Sequence, residues 1–154
     1  MAKSIINEQF ADYVTKGNHT VCIFKVWVDF NNIPFWNELR EYYCADYLIK
    51  EIKKAIKCKN VTNVNEHNLS SVISFNVIGR TTCHELDEYD EKLGKHIALT
   101  KAQRTASRVS INILKTFKRL HDDMYNMTYD ELIECANENI EQSTKHLKHL
   151  MNHE

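Results

Sequence analysis

Two stretches of the chain alternate apolar and polar residues, as a half-buried β-strand requires. Apolar side chains occupy every second position from His19 to Phe30, and the alternation returns from Val72 to Cys83. Both stretches are rich in β-branched and aromatic residues, which pack well on a pleated surface. We therefore predict a strand in each.

Other parts of the chain carry apolar residues at helical spacing. Apolar residues spaced four apart predict a short helix from Ile5 to Val14, and Gly17 follows at the position of a helix C-cap. Pro34 stands at a helix-start position and precedes a second predicted helix, which ends at about residue 57. Residues 60–68 are polar and turn-rich, so we predict a loop there.

The last third of the chain has the longest helical pattern. From about residue 91 to residue 124 it contains no proline, and one apolar stripe recurs at steps of three and four residues. Thr128 with Glu131 three residues later is a capping-box pattern, so we predict a turn at Asn126–Met127 and a last helix that returns antiparallel. The stripe consists of Ala98, Ala102, Ala106, Val109, Ile113, Phe117, Leu120 and Met124.

These elements predict an α+β protein. We expect a small antiparallel β-sheet with a helical insertion, followed by a long C-terminal antiparallel helical hairpin. With 154 residues the chain is long enough for one domain with a core. We place its strand-rich part at residues 1–90, with the inserted helix at about 34–57, and the hairpin at residues 91–152.

Composition excludes several classes of function. The formal net charge of −1 argues against general nucleic-acid binding, which needs an excess of Lys and Arg. The five cysteines form no CxxC pair, which favours a reducing, cytoplasmic environment over a disulfide or zinc scaffold. No stretch approaches the length of a membrane span, and MAKSIINEQF lacks the apolar core of a signal peptide.

Charge is segregated along the C-terminal third. Residues 92–121 contain eight bases and no acid, whereas residues 122–141 contain seven acids and no base. In a hairpin those acids would neutralise the C-terminal half of the basic helix, from Arg108 to Arg119, but Lys101 and Arg104 would stay unpaired. Arg108 lies at the border, on the same side of the helix as those two bases. We predict that these three bases bind an anion. The acids before the helix have a structural role, since Asp90 is a good N-cap.

The long helix also has a second apolar side. Ile97 and Ile111 lie away from the alanine-rich stripe, on or near the side of the three bases. One apolar side should meet the last helix, and the other the sheet or a second subunit. We therefore expect a homodimer or a higher homo-oligomer, with cover by the sheet alone as the alternative.

The segment GRTTCHELDEYDEKLGKHIALTKA, residues 79–102, resembles a pattern in small proteins of phages that infect Gram-positive bacteria. That pattern joins a strand ending in Cys to a Pro-x-Asp-x-Phe-Asp stretch, a Gly four residues on, and an Ala-x-x-Arg-Ala helix. Glu85 replaces the usual proline, Tyr89 the phenylalanine and Lys101 the arginine. The positions that match are Cys83, Asp87, Asp90, Gly94, Ala98 and Ala102.

Some phage proteins of this kind resemble anti-Thoeris sponges, which sequester a cyclic ADP-ribose immune signal without destroying it. The resemblance implies a counter-defence protein in the host cytoplasm whose ligand is an anionic nucleotide. It would place the ligand phosphates near Lys101, Arg104 and Arg80, with Phe75 or Trp27 stacking on adenine.

Other functions remain open at this point. An acidic surface, such as residues 122–141, would suit an inhibitor of the anti-CRISPR type that binds a host defence protein. His84 with Asp87 and Asp90, or His146, His149 and His153, could hold a metal, although helix capping and a solvated tail account for them better. Cys83 and His84 should point to opposite sides of a strand. Because no catalytic motif occurs, we expect no enzymatic activity and no cofactor.

Overall fold

The computed structural model describes residues 5–67, 71–83 and 90–152, without the side chains of residues 7–10. Its four strands form one antiparallel sheet in the order β1-β2-β4-β3, which confirms the α+β class. Residues Met1–Phe117 and Lys118–Glu154 form two compact units. The elements are β1 (Ile6–Lys16), β2 (His19–Asp29), a 3-10 turn (Phe30–Asn32), α1 (Trp36–Tyr42), α2 (Ala45–Ile56), β3 (Val61–His67), β4 (Val72–Thr82) and α3 (Glu91–Met151).

Both predicted strands are confirmed, and they pair with each other at the centre of the sheet. In this register Val26 lies opposite Phe75 and Cys22 opposite Gly79. Side chains of one strand alternate between the two faces, so directly paired residues share a face. The face that contains Val26 and Phe75 is buried in the core. The residues of β2 that point to the other face, such as Lys25 and Trp27, are half-buried.

The predicted helix at Ile5–Val14 is wrong, since this stretch is the edge strand β1. Gly17 and Asn18 form the turn between β1 and β2, and Gly17 has a φ of 60°, which glycine adopts without strain. The pairing of β1 with β2 shifts register between Glu8 and Ala11. Such a bulge breaks the two-residue alternation, and the sequence pattern then reads as four-residue spacing.

The predicted loop at residues 60–68 is also wrong, because β3 pairs with β4 there. The strand lies at an edge of the sheet, and its residues from Thr62 to Glu66 are exposed, so apolar alternation is missing. Asn63 has a φ of 53°, next to a register shift between Thr62 and Asn65. An asparagine tolerates this left-handed conformation better than most residues do.

Two helices occupy the region between β2 and β3, where one was predicted. Helix α1 ends at Tyr42, and Tyr43 and Cys44 have extended backbone angles before α2 begins. The ring of Tyr43 stacks on that of Tyr47 at a centroid distance of 5.3 Å. Helix α2 buries Leu48, Ile52 and Ile56 completely.

Helix α3 begins as predicted. The Asp90 carboxylate accepts a hydrogen bond from the Leu93 backbone N–H at 3.1 Å, which is the expected N-cap contact. All eight residues of the predicted stripe from Ala98 to Met124 are buried. The pattern therefore identified the buried face of this helix correctly.

The predicted helical hairpin is wrong, because α3 continues through Asn126 and Met127 to Met151. The Thr128 hydroxyl donates to the Met124 carbonyl oxygen at 2.8 Å, an interaction inside a continuing helix, and so does not cap a new one. After Gly94 the chain contains no glycine and no proline. Nothing in this sequence forces the helix to stop.

Among the residues that the structure describes, no helix has both the length and the apolar character needed to cross a membrane.

Candidate ligand-binding site

Helix α3 lies unusually close to strand β4. A Cβ atom added to Gly79 would be 1.9 Å from the Ala98 carbonyl oxygen and 2.7 Å from the Ala102 backbone nitrogen. Only glycine on the strand, with alanines on the helix, lets the two backbones approach this far. The contact fixes which residues of α3 stand beside the end of β4.

This close contact brings the predicted bases Lys101 and Arg80 together. Lys101 precedes Ala102 on the helix, and its Nζ donates to the Arg80 carbonyl oxygen at 3.0 Å. One bond uses one of the three N–H donors of an ammonium group, so two remain for a ligand. Lys101 is exposed.

The Arg80 guanidinium contacts the turn before β3. Its Nη1 donates to Asn60 Oδ1 at 3.2 Å, while the Asn60 carbonyl oxygen accepts from the Ile78 backbone N–H at 2.9 Å. An amide oxygen orients the guanidinium without cancelling its charge. Arg80 is exposed, and no carboxylate of the described residues forms an ion pair with it.

Arg104 and Arg108 follow Lys101 on α3, three and seven residues later. Residues with this spacing share one face of a helix. All three are exposed, and no carboxylate of the described residues lies within ion-pair distance of them.

Phe75 cannot serve as the predicted stacking surface. Its side chain is fully buried, on the core face of β4. Alternation along the strand already indicated this, because Phe75 belongs to the same apolar series as Ile73 and Val77. The ring contributes to the core, and we remove it from the candidate site.

Trp27 lies on the other face of the sheet from Phe75. Arg80 is on the same face as Trp27, but the two residues are far apart along the strands. Trp27 pairs with Ser74, whereas Arg80 pairs with Val21. Six residues of an extended strand correspond to about 20 Å. Trp27 and Arg80 therefore define two separate places on the protein, and one small ligand does not bridge them.

Trp27 belongs to a polar cluster that the sequence interpretation missed. Lys25 Nζ lies 4.6 Å from the centroid of its ring, and the His67 ring stacks on it at 4.7 Å. His67 Nε2 is also 3.0 Å from Ser74 Oγ. Lys25 could have been found, since it is two residues from Trp27 on β2, but His67 lies on the strand that was predicted as a loop.

Two further groups near the start of α3 have altered acidity. Burial raises the pKa of the Cys22 thiol above its ordinary value of 9.0, although its hydrogen bond with Tyr13 acts in the opposite direction. Burial, and then the neighbouring Cys22, raise the pKa of Tyr13 above 10.0, while nearby Lys95 lowers it. Lys95 Nζ lies 5.6 Å from the Tyr13 ring centroid.

The other predicted chemistries find little support in the described residues. Within residues 5–67, 71–83 and 90–152, no three His, Cys, Asp or Glu side chains are grouped so as to hold a metal ion. His84, Asp87 and His153 lie outside those residues. Cys83 is half-buried, and its backbone carbonyl accepts a hydrogen bond from Asn18 Nδ2 at 2.7 Å.

A surface cavity of about 330 Å³ lies elsewhere, around the start of α1. None of the predicted site residues lines it. Phe35, at its rim, has a φ of 63° and is 56% exposed. The cavity is lined by Asn31, Ile33, Phe35, Trp36, Asn37 and Glu38.

Comparison with known proteins finds no matching family model, no similar curated protein and no similar solved structure. The candidate site is therefore defined by the chemistry of its own residues. These are Arg80, Lys101, Arg104 and Arg108, which we call the basic cluster.

Proposed function

We propose that this protein is a non-catalytic binding protein whose basic cluster takes an anionic, phosphate-bearing nucleotide. One observation carries the proposal: Lys101, Arg104 and Arg108 are exposed and have no carboxylate partner among the described residues. Charged helix faces are usually solvated or paired. A row of three exposed bases on one helix face gives an anion a favourable place to bind.

The spacing of the bases suits more than one phosphate group. Seven residues of helix separate Lys101 from Arg108, which corresponds to about 10 Å along the axis. Arg104 and Arg108 lie one turn apart, and each guanidinium can grip two phosphate oxygens. A diphosphate fits this row better than a single carboxylate does.

The biological role follows from the resemblance of residues 79–102 to small phage proteins. On that basis the ligand is a cyclic ADP-ribose-like immune signal, and the protein sequesters it in the cytoplasm of the infected host. Ala102 matches the shared pattern and Lys101 stands at its arginine position, and the close contact with Gly79 positions both residues. This coincidence supports the assignment of the site to that part of α3.

Calorimetric titration tests the proposal. The panel contains inorganic phosphate, pyrophosphate, AMP, ADP-ribose and cyclic ADP-ribose. We expect binding of a diphosphate-containing compound, its recovery intact after denaturation of the protein, and weaker binding at high salt. Failure of every compound in the panel to bind would contradict the proposal.

A pair of matched variants locates the binding site. Arg104→Glu with Arg108→Glu reverses two charges in the basic cluster and should reduce affinity at least about 100-fold, since each charge-assisted contact contributes about 1.5–3 kcal/mol. Arg40→Glu with Lys50→Glu reverses two exposed charges on α1 and α2 and should leave affinity unchanged. Equal losses in both variants would show that net charge, and not the cluster, governs binding.

A second function has its own support, namely inhibition of a host defence protein through an acidic surface. The seven acids of residues 122–141 are all exposed on a continuous helix instead of being packed in a hairpin. Negative charges repeated along a rigid helix can imitate a nucleic-acid backbone. Such a protein would bind a nucleic-acid-targeting complex of the host.

The two functions make opposite predictions for one variant. Replacement of Glu134, Glu138 and Glu141 by Gln should abolish capture of a nucleic-acid-binding host complex if the acidic surface is the functional one. The same variant should keep nucleotide binding at the basic cluster. Pull-down from infected cells and calorimetry of the same protein preparation distinguish the two.

A further inference from the structure

The C-terminal segment, residues 125–151, is the last part of helix α3, and every one of its residues is exposed. Many of its exposed residues are large and apolar, and Ile140 is 64% exposed. Single exposed apolar side chains are ordinary, but a row of them on one element indicates an interaction surface. The row consists of Tyr125, Met127, Tyr129, Leu132, Ile133, Ile140, Leu147, Leu150 and Met151.

Part of this row follows a heptad repeat. Ile133, Ile140 and Leu147 are seven residues apart and occupy the a positions. The d positions three residues after each a position are Ala136, Ser143 and Leu150, preceded by Tyr129. Residues at a and d form one seam along a helix, the surface through which coiled-coil helices meet.

An isolated helix of this composition has little reason to be stable by itself. Helices in water gain most of their stability from the packing of an apolar face, and propensity alone is marginal. No described residue covers the a/d seam, since all of its side chains are exposed. The segment therefore needs a partner.

We infer that the partner is the C-terminal segment of a second copy of this chain, paired antiparallel. The size pattern of the seam is the first reason: large residues occupy the middle a positions, and small ones the middle d positions. In an antiparallel pair each a residue faces a d residue of the other helix, which fills the space evenly. The layers are Ile140 with Ser143, Leu147 with Ala136, and Ile133 with Leu150.

A parallel pair would pack less well. Equivalent positions would face each other, so Ala136 would meet Ala136 and Ser143 would meet Ser143. The alanine and serine layers would leave gaps between the helices, because the isoleucine layers next to them hold the helices further apart. The sequence of large and small residues thus favours the antiparallel arrangement.

Charge gives the second reason. Residues 130–141 carry five acids and no base, while residues 142–152 carry Lys145 and Lys148 and no acid. Helices packed side by side are about 8–10 Å apart, within one Debye length at moderate salt. An antiparallel pair places the acidic part of each helix beside the basic part of the other, whereas a parallel pair places acid beside acid.

Sedimentation equilibrium of the full chain tests the association. We expect a mass twice the 18.1 kDa of one chain. Ile140→Asp with Leu147→Asp should reduce it to that of one chain, because charges in a seam prevent pairing. The matched control, Gln142→Asp with His149→Asp, puts the same charges at the same spacing on the other side of the helix and should stay dimeric.

Disulfide cross-linking tests the orientation. Two single variants, Ile133→Cys and Leu150→Cys, are made in a background where Cys44, Cys58, Cys83 and Cys135 are serine. When mixed and oxidised, they should cross-link only to each other. Within one antiparallel pair, the two copies of Ile133→Cys are 17 residues apart along the axis, about 25 Å, which no disulfide spans.

Three outcomes would overturn the inference. A wild-type chain with the mass of one copy means that the segment folds back or binds another molecule. Dimers that survive Ile140→Asp with Leu147→Asp mean that another surface is used, and self-cross-linking of Ile133→Cys means a parallel pair. Trp27 and Trp36 fluorescence verifies that each variant keeps the fold of the first unit. The inference does not depend on the proposed nucleotide binding.

Discussion

Helix α3 contains two apolar stripes, one of which is buried while the other is exposed. Residues 98–117 place their stripe in the core, and Ile113 there is fully buried. In the C-terminal segment, Ile140 belongs to an equally regular repeat and is 64% exposed. The difference lies in the presence of a fitting surface within the chain: β4 offers Gly79 to the first stripe. Periodicity indicates which face is apolar, but the shape of the neighbour decides whether the chain covers it.

The largest loss of stability should come from a substitution that fills the space between β4 and α3. In Gly79→Val the new side chain meets the backbone of Ala98, which cannot move without displacing the helix. We expect a loss of about 4 kcal/mol or more in the free energy of unfolding, measured by urea denaturation. Ser107→Ala, on the exposed side of α3, is the control and should change stability by less than about 0.5 kcal/mol.

Substitution of Ile113 in the buried stripe and of Ile140 in the exposed stripe compares the two stripes directly. Ile113→Ala removes a fully buried side chain and should cost about 3 kcal/mol in the unfolding of the first unit, followed by tryptophan fluorescence. Ile140→Ala should leave that transition unchanged and instead weaken self-association at least about 10-fold, since it removes packing from the seam. Equal destabilisation of the first unit by both variants would contradict the distinction between the stripes.

The start of α3 should make a smaller contribution. Asp90→Ala removes the bond from the Leu93 N–H and should cost about 1 kcal/mol, while Asp90→Asn, which keeps an acceptor, should cost less. Chemical denaturation at neutral pH measures the stability loss of each variant. An unchanged stability of Asp90→Ala would show that the cap adds nothing to the first unit.

The smallest effect should be a loss of stability at alkaline pH. The folded chain raises the pKa of Cys22 above 9.0 and that of Tyr13 above 10.0, so it favours their protonated forms. This contribution to stability is complete below about pH 9, and is lost as pH rises through the raised values. We expect the melting temperature to fall less steeply above pH 9 in Cys22→Ala than in the wild type, and as steeply in Cys135→Ala.

The strands and helix faces that depend on local chemistry could be predicted from the sequence. Alternation identified β2 and β4, and helical periodicity identified the buried stripe of α3 with its Asp90 cap. Predictions of secondary structure failed where contacts between residues far apart in the sequence determine the structure. The edge strands β1 and β3 are held by pairing with β2 and β4, and a bulge disguises β1.

For the candidate site, too, the sequence indicated local features but not the distances between residues on different elements. Charge segregation along α3 suggested Lys101, Arg104 and Arg108, and the exposure of these residues in the structure agrees with a surface role. The burial of Phe75 could have been predicted, because Phe75 belongs to the apolar series of β4. The separation of Trp27 from Arg80 could not, because it requires the register of the sheet. Pairing puts Phe75 in the core and Trp27 on the far face, beside Lys25 and His67.

Helix α3 runs through Asn126–Thr128 without turning back, and the acidic surface and the a/d seam are exposed only for that reason. Spin labels at Lys118 and Gln142, both in the second unit, test this continuity by pulsed electron resonance, with unlabelled protein in excess to suppress distances between copies. A continuous helix predicts about 36 Å between the two backbone positions. A separation below about 20 Å, as packed antiparallel helices would give, would contradict a continuous helix.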